Sequence, residues 1–261
     1  MDFYSGAPHL TNFAHNSLPS KSTNNFWQQP PFSEKLAVDL YGGGRENQTI
    51  KQNRESIYGL SVANIKADLK KMKVYFIRHG ESDGNARGVY TGQLDVPLTD
   101  LGREQALTAR DKLTSVSFDR IYVSPLIRAR ETADIIFPQC EHVCDERIRE
   151  ISVGDLAGAS GKIYREEHPD MLERLTARDY TPFGGECDDD VVRRITPFFA
   201  DLACESFETV AVVCHGGVIH ATLEYALGVK FSAWRTSRPN CMIAVFELSD
   251  DASLKLISWN F

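Results

Sequence analysis

The stretch KVYFIRHGES, residues 73 to 82, decides the fold of this chain. Its first five residues are a lysine and then four apolar residues with β-branched or aromatic side chains, which predicts a short, buried strand. An arginine, a histidine and a glycine follow at once as Arg78, His79 and Gly80. A cation and an imidazole therefore stand side by side where a buried strand ends.

Strand and helix patterns alternate along the chain after this stretch. Thr99 is suited to begin a helix, and Pro138 is suited to end one. Such alternation predicts an α/β fold with three layers, α/β/α, around a mostly parallel central sheet. The predicted elements are strands at 119–124 and 208–215, helices at 98–113, 126–137 and 217–228, and a closing strand pair at 240–248 and 253–259.

Residues 1–72 differ in composition from residues 73–261, so we divide the chain into an irregular N-terminal extension of unassigned role and one folded domain. The extension is rich in Asn, Ser and Pro and lacks a helical or alternating period, yet it keeps several aromatic side chains. Its glycine-rich stretch at 41–49 is interpreted as a linker and not as a phosphate loop, because no Gly-Lys-Ser/Thr follows. Residues 54–71 carry apolar side chains at helical spacing and are predicted to form a helix.

Composition and charge exclude several classes of protein. With 261 residues and 42% hydrophobic content, the chain is long enough to bury a full-sized core. The formal net charge is -7, and no cluster of basic residues of the kind that binds nucleic acid is evident in the sequence. No run approaches the roughly 18 apolar residues of a membrane span, and the N-terminal residues do not resemble a secretory signal. Six scattered cysteines are expected to be reduced thiols, so a cytoplasmic protein is predicted.

At the ends of three predicted strands lie side chains that can bind an anion or take part in catalysis. In sheets of this kind the ligand lies beyond the carboxyl ends of the strands, so we expect these groups to converge. Two guanidinium groups and two imidazoles favour an anion, and phosphate matches the guanidinium fork best. The side chains, in chain order, are Arg78 with His79, Ser124 with Arg128, and His215.

A phosphoryl group held by these residues has a defined chemical route. Cations stabilise the charge on its equatorial oxygens. A neutral imidazole nitrogen accepts the phosphoryl group covalently, and an acid must then protonate the leaving oxygen. Each residue alone also fits a plain structural role, with the arginines in surface ion pairs and His215 in the core. Their joint occurrence in this order favours the functional interpretation.

Several ordered motifs extend this pattern from Arg78 to the C-terminal part of the chain. They are RHGES at 78–82, DVPLTDLGREQA at 95–106, SPLIRARETA at 124–133, REISVGDLAG at 149–158, FGGEC at 183–187 and HGGVIHATL at 215–223. In order and spacing, the chain from Lys73 onward resembles the histidine phosphatase superfamily, whose members include the phosphoglycerate mutases. The resemblance implies a phosphoglycerate mutase-like fold and makes residues 73–261 the catalytic domain.

The resemblance also implies a role for each matching residue. His79 looks like the nucleophile that becomes phosphohistidine, and Glu150, in the pattern Glu-x-x-x-Gly, looks like the proton donor. Glu146 and Asp155 lie close in sequence and stay open as alternatives for the acid. The residues implied to bind the phosphoryl group or the substrate are Arg78, Arg128, His215, Asn85 and Glu186.

The superfamily holds both phosphatases, which pass the phosphoryl group to water, and mutases, which return it to the product. The mutase pattern around the acid and its long insertion are missing here, where residues 148–158 are IREISVGDLAG. The aromatic-Glu-Gly of many phosphatases is also altered, to Leu156-Ala157-Gly158. We therefore predict hydrolysis of a small phosphorylated metabolite, with specificity set by residues 155–187. Two alternatives stay open, a mutase-type transfer and a phosphate-binding module in which residues 1–72 regulate or dock.

Neither a metal nor a cofactor is predicted. Cys140, His142 and Cys144 have a metal-like spacing, but a fourth zinc ligand is not evident nearby. His220 is interpreted as an ordinary histidine of an amphipathic helix. The acidic run at 187–194 is interpreted as the start of a helix, because carboxylates stabilise a helix N-terminus. The oligomeric state is not predicted by these patterns.

Overall fold

The fold is built on one six-stranded sheet. The computed structural model describes residues 71–230 and 237–260. The strands are β1 (Lys71–Arg78), β2 (Arg120–Val123), β3 (Val143–Cys144), β4 (Thr209–Cys214), β5 (Ile243–Ser249) and β6 (Leu254–Trp259). The helices are α1 (Asp83–Ala86), α2 (Asp100–Leu113), α3 (Ile127–Ile136), α4 (Gly161–Glu167), α5 (Leu172–Thr176), α6 (Asp188–Ala203) and α7 (Gly216–Leu227).

The strands lie side by side in the order β3-β2-β4-β1-β5-β6. The first four run parallel, whereas β5 is antiparallel to β1 and β6 is antiparallel to β5. Arg78 at the end of β1 pairs with Cys214 at the end of β4, and Val123 at the end of β2 pairs with Val213. The carboxyl ends of these three strands therefore meet at one edge of the sheet.

Helices cover both faces of the sheet, as alternate side chains of β1 show. Val74 and Phe76 belong to a core cluster with residues of α6 and α7. Tyr75 and Ile77 belong to a second cluster, with residues of α2 and α3 on the opposite face. All four side chains are buried, which explains why the strand appears in the sequence as a continuous apolar run. The predicted three-layer α/β/α arrangement is confirmed.

The helix ends follow the predicted signals. Thr99 begins α2, and its hydroxyl oxygen accepts a backbone hydrogen bond at 3.0 Å. Helix α3 ends at Ile136, two positions before Pro138. The acidic run begins α6, where Asp190 Oδ2 accepts a hydrogen bond from the backbone N–H of Cys187 at 3.0 Å. Local sequence signals therefore determine where these helices start and stop.

The predictions for the N-terminal extension fall largely outside the described residues. The linker at 41–49 lies there, as does the helix predicted at 54–71 except for its last residue. Lys71 belongs to β1, which begins two residues before the predicted strand because Lys71 and Met72 pair with β5. All six cysteines are free thiols in this structure. Within the described parts of the chain, no helix is both long and apolar enough to cross a membrane.

Candidate active site

The predicted strand-end residues converge at one edge of the sheet. His79 follows β1, and its backbone N–H donates to the carbonyl of Cys214 at 3.0 Å. His215 follows β4, and its ring centroid lies 5.1 Å from that of His79. Ser124 follows β2, and its hydroxyl oxygen lies 2.7 Å from His215 Nε2. We use the name strand-end pocket for the group formed by Arg78, His79, Ser124, Arg128, Glu150 and His215.

The hydrogen bonds of His79 determine which ring nitrogen carries the proton. Nδ1 lies 2.6 Å from the carbonyl oxygen of Gly80, which only accepts, so Nδ1 holds the hydrogen. Nε2 lies 3.3 Å from Nε of Arg128, which only donates. Nε2 therefore carries the lone pair and faces a cation.

The surroundings of His79 favour its neutral form. Burial, followed by the charges of Arg128 and Arg78, holds the pKa of His79 well below its ordinary value. The hydrogen bond to Gly80 acts in the opposite direction and is a smaller effect. A neutral imidazole with its lone pair on Nε2 is a competent nucleophile at neutral pH.

Two arginines supply the positive charge of the strand-end pocket. Arg128 is 1% exposed, and it donates to the carbonyls of Leu94 and Gly92, at 2.7 Å in both cases. Arg78 donates through Nη1 to the carbonyl of Arg238, while its buried Nε has no hydrogen-bond partner among the described residues. Burial lowers the pKa of Arg78 and of Arg128, but the ordinary arginine pKa is so high that both stay charged. The pocket is therefore suited to an anion.

His215 completes this side of the strand-end pocket. Its Nε2 is engaged with Ser124, whereas its buried Nδ1 has no hydrogen-bond partner in the described part of the chain. Burial and the neighbouring charge of Arg128 hold the pKa of His215 well below its ordinary value. Buried polar atoms are rarely left unpaired, so Nδ1 is available to bind a further group.

Glu150 lies at the first turn of α7. Its Oε1 accepts hydrogen bonds from the backbone N–H of Gly217 at 3.0 Å and of Ile151 at 2.9 Å. A Cβ atom on Gly217 would lie 2.0 Å from this oxygen, so the close approach requires glycine. The carboxylate acts on Arg78 electrostatically and opposes the effect of burial on its pKa. The carboxylate of Glu150 therefore lies near the cations of the strand-end pocket, because its charge acts on both Arg78 and Arg128.

Two predicted substrate contacts are engaged in other bonds. Glu186 binds Arg194 through both carboxylate oxygens, at 2.9 and 3.2 Å, and accepts from the backbone N–H of Ser152 at 2.8 Å. Arg194 also donates to the carbonyl of Glu150 at 3.1 Å, so the pair anchors the loop that carries Glu150. Asn85 Oδ1 accepts from the backbone at the start of α1 at 3.1 Å. A substrate contact of either residue stays a prediction.

Two further arginines near Glu150 were not singled out from the sequence. Arg178 follows α5, and Arg238 precedes β5. Arg178 Nη2 would lie 2.7 Å from a Cβ atom on Gly217, and the charge of Glu150 acts on both arginines. Arg178 falls within the predicted specificity stretch 155–187, but nothing local distinguishes it there. The Gly-Gly pair that begins α7 is the sequence signal that bears on it, because it indicates a close approach of other atoms.

One buried cluster has the composition of a metal site. Asp188, His220 and Glu224 present ligand atoms within 4.8 Å of one another, and no other such cluster is found among residues 71–230 and 237–260. Cations of the chain itself already bind it. Arg178 donates to Asp188 at 2.8 Å, and Lys230 donates to Glu224 at 3.2 Å. The cluster is therefore a salt-bridge network in this structure.

Comparison with known proteins assigns the family. The family model of the histidine phosphatase superfamily, branch 1, matches residues 74–261, which include every residue of the strand-end pocket. The chain belongs to the histidine phosphatase superfamily. Phosphoryl transfer through a phosphohistidine is the general chemistry of this superfamily. It requires a histidine with a lone pair on one ring nitrogen, as His79 has on Nε2, which accepts a hydrogen bond from Arg128.

Similar members of the superfamily include both phosphatases and mutases. A 2,3-bisphosphoglycerate-dependent phosphoglycerate mutase of Rhizobium etli is 34% identical over 201 residues, covering 68% of this chain and 91% of the relative. A glucosyl-3-phosphoglycerate phosphatase of Mycolicibacterium vanbaalenii is 33% identical over 179 residues, covering 64% of this chain and 79% of the relative. The solved structure of a mycobacterial glucosyl-3-phosphoglycerate phosphatase matches with a TM-score of 0.65 at 27% identity, covering 73% of this chain and 99% of that one. The chain is thus an enzyme of the histidine phosphatase type.

Proposed function

We propose that this histidine phosphatase hydrolyses phosphomonoesters of small metabolites, with His79 Nε2 as the atom that accepts the phosphoryl group. The observation that carries the proposal is the protonation of His79. Its hydrogen lies on Nδ1, towards Gly80, and its lone pair lies on Nε2, towards Arg128. A nucleophile with that geometry, placed among cations at a strand end, is suited to attack a phosphate dianion.

The first step forms the phosphohistidine. The lone pair of His79 Nε2 attacks phosphorus, and the bond from phosphorus to the ester oxygen breaks. Glu150 gives its proton to the departing oxygen, so the alcohol leaves neutral and Glu150 becomes a carboxylate. The side chain lies at the start of α7, where backbone N–H groups stabilise that negative charge.

The second step returns the enzyme to its starting state. A water molecule occupies the place of the departed alcohol, and Glu150 takes its proton as the oxygen attacks phosphorus. The nitrogen–phosphorus bond breaks, its electron pair returns to His79 Nε2, and inorganic phosphate leaves. Each group has then regained its original proton.

The phosphoryl oxygens are bound by Arg78, Arg128 and His215 in this proposal. Two buried donor-capable atoms, Arg78 Nε and His215 Nδ1, have no hydrogen-bond partner among the described residues. A bound phosphoryl group supplies acceptors for them and disperses charge onto the guanidinium groups during transfer. Small phosphorylated compounds are supported as substrates by the names of the similar proteins, which include glucosyl-3-phosphoglycerate phosphatase.

A phosphoglycerate mutase-type reaction is the second candidate, and the 34% identity to the mutase of Rhizobium etli favours it. The two reactions differ in the molecule to which His79 transfers the phosphoryl group, which is water in hydrolysis and the product in a mutase reaction. Incubation with 3-phosphoglycerate and a trace of 2,3-bisphosphoglycerate distinguishes them. Release of inorganic phosphate indicates hydrolysis, whereas conversion to 2-phosphoglycerate without release indicates transfer.

Trapping the intermediate tests the proposed function. Rapid quenching of the enzyme with a ³²P-labelled aryl phosphate should yield a protein-bound phosphoryl group that is labile in acid and stable in base, as a phosphoramidate is. His79→Ala should abolish the adduct and lower turnover by about three orders of magnitude or more, because the attacking atom is lost. Unchanged circular dichroism would show that the variant folds. Retention of more than about a tenth of wild-type turnover would falsify the covalent role of His79.

A further inference from the structure

The hydroxyl group of Ser124 is buried against the ring of His215. Ser124 is 0% exposed, and its hydroxyl oxygen lies 2.7 Å from His215 Nε2. The sequence marks Ser124 only as a polar residue at the end of a strand, and the proposed mechanism gives it no role. The partner of one imidazole nitrogen determines whether the other nitrogen carries a hydrogen or a lone pair. The contact with Ser124 therefore bears on what His215 offers to a ligand.

The backbone holds both partners of this contact in place. The backbone N–H of Ser124 donates to the carbonyl of Val213 at 2.9 Å. Val213 belongs to β4, and His215 directly follows that strand. The carbonyl of His215 in turn accepts from the backbone N–H of Ile219 in α7 at 3.1 Å. The hydroxyl and the ring are thus both attached to hydrogen-bonded backbone at the same edge of the sheet.

The hydrogen bonds of Ser124 leave one acceptor for its hydroxyl hydrogen. The oxygen accepts from the backbone N–H of Leu126 at 3.4 Å, and a backbone N–H can only donate. Among the described residues, the other partner of the hydroxyl is His215 Nε2. If the hydroxyl donates to Nε2, that nitrogen holds the lone pair, and Nδ1 of the neutral ring carries the hydrogen. One buried group, the N–H at Nδ1, is then left without a partner.

The opposite arrangement leaves two buried groups unpaired. If Nε2 of His215 carried the hydrogen and donated to Ser124, the hydroxyl hydrogen would find no acceptor within residues 71–230 and 237–260. The lone pair on Nδ1 would also be unpaired. A charged ring would again leave two hydrogens unpaired, and burial and Arg128 hold the pKa of His215 well below its ordinary value. Because each unpaired buried group costs free energy, hydrogen on Nδ1 is favoured.

His79 and His215 then carry the hydrogen on the same ring nitrogen but use opposite edges of the ring. His79 presents the lone pair of Nε2, which accepts from Arg128 Nε at 3.3 Å. His215 presents the N–H at Nδ1, which has no partner in the described part of the chain. Attack on phosphorus requires a lone pair, whereas binding of a phosphoryl oxygen requires an N–H group. The difference follows from the partner of each ring, the carbonyl of Gly80 or the hydroxyl of Ser124.

We propose that Ser124 is a positioning residue, whose hydroxyl donates to His215 Nε2 and holds the hydrogen of the neutral ring on Nδ1 for a phosphoryl oxygen. The inference rests on the proposed function, in which His215 binds the phosphoryl group. Ser124 acts only through His215. Without the hydroxyl, the charges of Arg128 and Arg78, which act on His215, favour a lone pair on the pocket side of the ring. The hydrogen then moves towards Nε2, and phosphate binding weakens.

The position of the hydrogen on His215 is measured in the phosphate-free, full-length chain. Long-range ¹H–¹⁵N correlation spectra at neutral pH distinguish a ring nitrogen that carries hydrogen from one that holds a lone pair, and His215→Ala assigns the signals. The wild-type chain should carry the hydrogen on Nδ1, and Ser124→Ala should populate the form with hydrogen on Nε2. Hydrogen on Nε2 in the wild-type chain, or an unchanged spectrum of His215 in Ser124→Ala, would overturn the proposal.

Thr222→Val is the matched control for the loss of a buried hydroxyl. Thr222 lies on α7 and is 0% exposed, and its hydroxyl has no hydrogen-bond partner among the residues that the structure describes. The variant should leave the ring signals of His215 unchanged. A change as large as that in Ser124→Ala would show that the tautomer responds to general packing, and the specific role of Ser124 would be excluded.

Phosphate affinity tests the consequence for binding. Inorganic phosphate is titrated calorimetrically into the wild-type chain, Ser124→Ala, His215→Ala and the double variant. Ser124→Ala should raise Kd by roughly 3- to 10-fold, the effect of one hydrogen bond to a neutral group. It should add little in the His215→Ala background, because Ser124 acts only through the imidazole. The same loss of affinity in both backgrounds would overturn the positioning role.

The two measurements separate failure of this inference from failure of the proposed function. A wild-type chain that neither binds phosphate nor hydrolyses aryl phosphates would remove the proposed function, whereas the tautomer in the phosphate-free chain would still decide the contact between Ser124 and His215. Hydrogen on Nε2 of His215, in a chain that hydrolyses aryl phosphates through His79, would overturn the role of Ser124 alone.

Discussion

The immediate neighbours of His79 favour the protonation that its proposed role as nucleophile requires. The carbonyl of Gly80 accepts a hydrogen bond from Nδ1, and Arg128 both orients Nε2 and disfavours its protonation. A Cβ atom on Gly80 would lie 2.3 Å from the carbonyl oxygen of Gly102, so the glycine after the histidine is needed for the approach of α2. The proposed nucleophile and the packing of a helix therefore depend on adjacent residues.

The role of Glu150 as proton donor is tested by the dependence on the leaving group. Glu150→Gln should slow the hydrolysis of an alkyl phosphate by about 100-fold or more, within the usual range for general acid catalysis. An activated aryl phosphate, whose leaving group needs little protonation, should be affected far less. Steady-state kcat on both substrates measures the difference.

The matched control for this variant is Glu146→Gln. Glu146 was an alternative for the acid, but its side chain is 70% exposed and pairs with Arg149 at 3.0 Å. The control should leave both rates unchanged. If Glu150→Gln lowers kcat equally on the alkyl and the aryl phosphate, Glu150 is not the acid. Asp155 or Glu186 would then be the next candidate.

Helix α7 contributes its first turn to the site. The backbone N–H of Gly217 binds Glu150, and the missing side chain leaves room for both Glu150 and Arg178. The helix follows β4 directly, with His215 as the only residue between the two elements. The first turn of α7 thereby positions both Glu150, the proposed acid, and His215, the proposed phosphate-binding histidine.

Gly217→Ala should disrupt the acid while leaving the fold intact. Alanine stabilises a helix relative to glycine by up to about 1 kcal/mol. Its Cβ atom would, however, lie 2.0 Å from Glu150 Oε1, so the carboxylate would have to move away. We expect kcat on an alkyl phosphate to fall by about tenfold or more, with a smaller change on an aryl phosphate.

Gly216→Ala is the control for that variant on the same helix. A Cβ atom at position 216 would meet its nearest neighbour, Arg78 Nε, at 3.5 Å, which is an ordinary contact. This variant should retain most of the activity on both substrates. Comparable losses in the two alanine variants would show that the helix, and not the space for Glu150, is what matters.

In the whole molecule, two buried neutral histidines couple the active site to the stability of the fold. The pKa values of His79 and His215 both lie well below the ordinary value when folded. Below about pH 6.5 the unfolded chain binds protons that the folded chain does not, so stability falls as the pH decreases. Each histidine contributes up to about 1.4 kcal/mol per pH unit in this window.

Urea denaturation between about pH 5 and pH 7.5 measures this linkage. The free energy of unfolding of the wild-type chain should decrease on acidification, and His79→Gln should show a shallower decrease because one of the two histidines is gone. The comparison removes the contribution of carboxylates, which both chains share. The same slope in both chains would exclude His79 from the effect.

The division between the N-terminal extension and the catalytic domain is tested by truncation. A chain that begins at Ala67 keeps all of β1 and every residue of the strand-end pocket, and it should retain turnover of an aryl phosphate. A chain that begins at Val74 serves as the contrast. It loses Met72, which is 3% exposed, and should melt at a lower temperature because a buried side chain is removed. Loss of activity in the longer chain would assign the extension a part in catalysis.

The amino-acid sequence by itself determined the layered α/β fold, the edge of the sheet at which the candidate site residues meet, and the family. These follow from local signals: apolar runs of strand length, helix caps such as Thr99, and the polar residues directly after Ile77, Val123 and Cys214. Each of these signals is formed by residues a few positions apart along the chain, so it can be recognised in the sequence alone.

Only the tertiary structure decided the roles of contacts that join distant segments. Glu186, expected at the substrate, is turned towards Arg194 and Ser152 and supports the loop of Glu150. Arg178 and Arg238 gain their place beside Glu150 only when the turn after α5 and the segment before β5 meet at the start of α7. No local period encodes such a meeting, because it depends on how separate elements pack and on which buried charges find partners there.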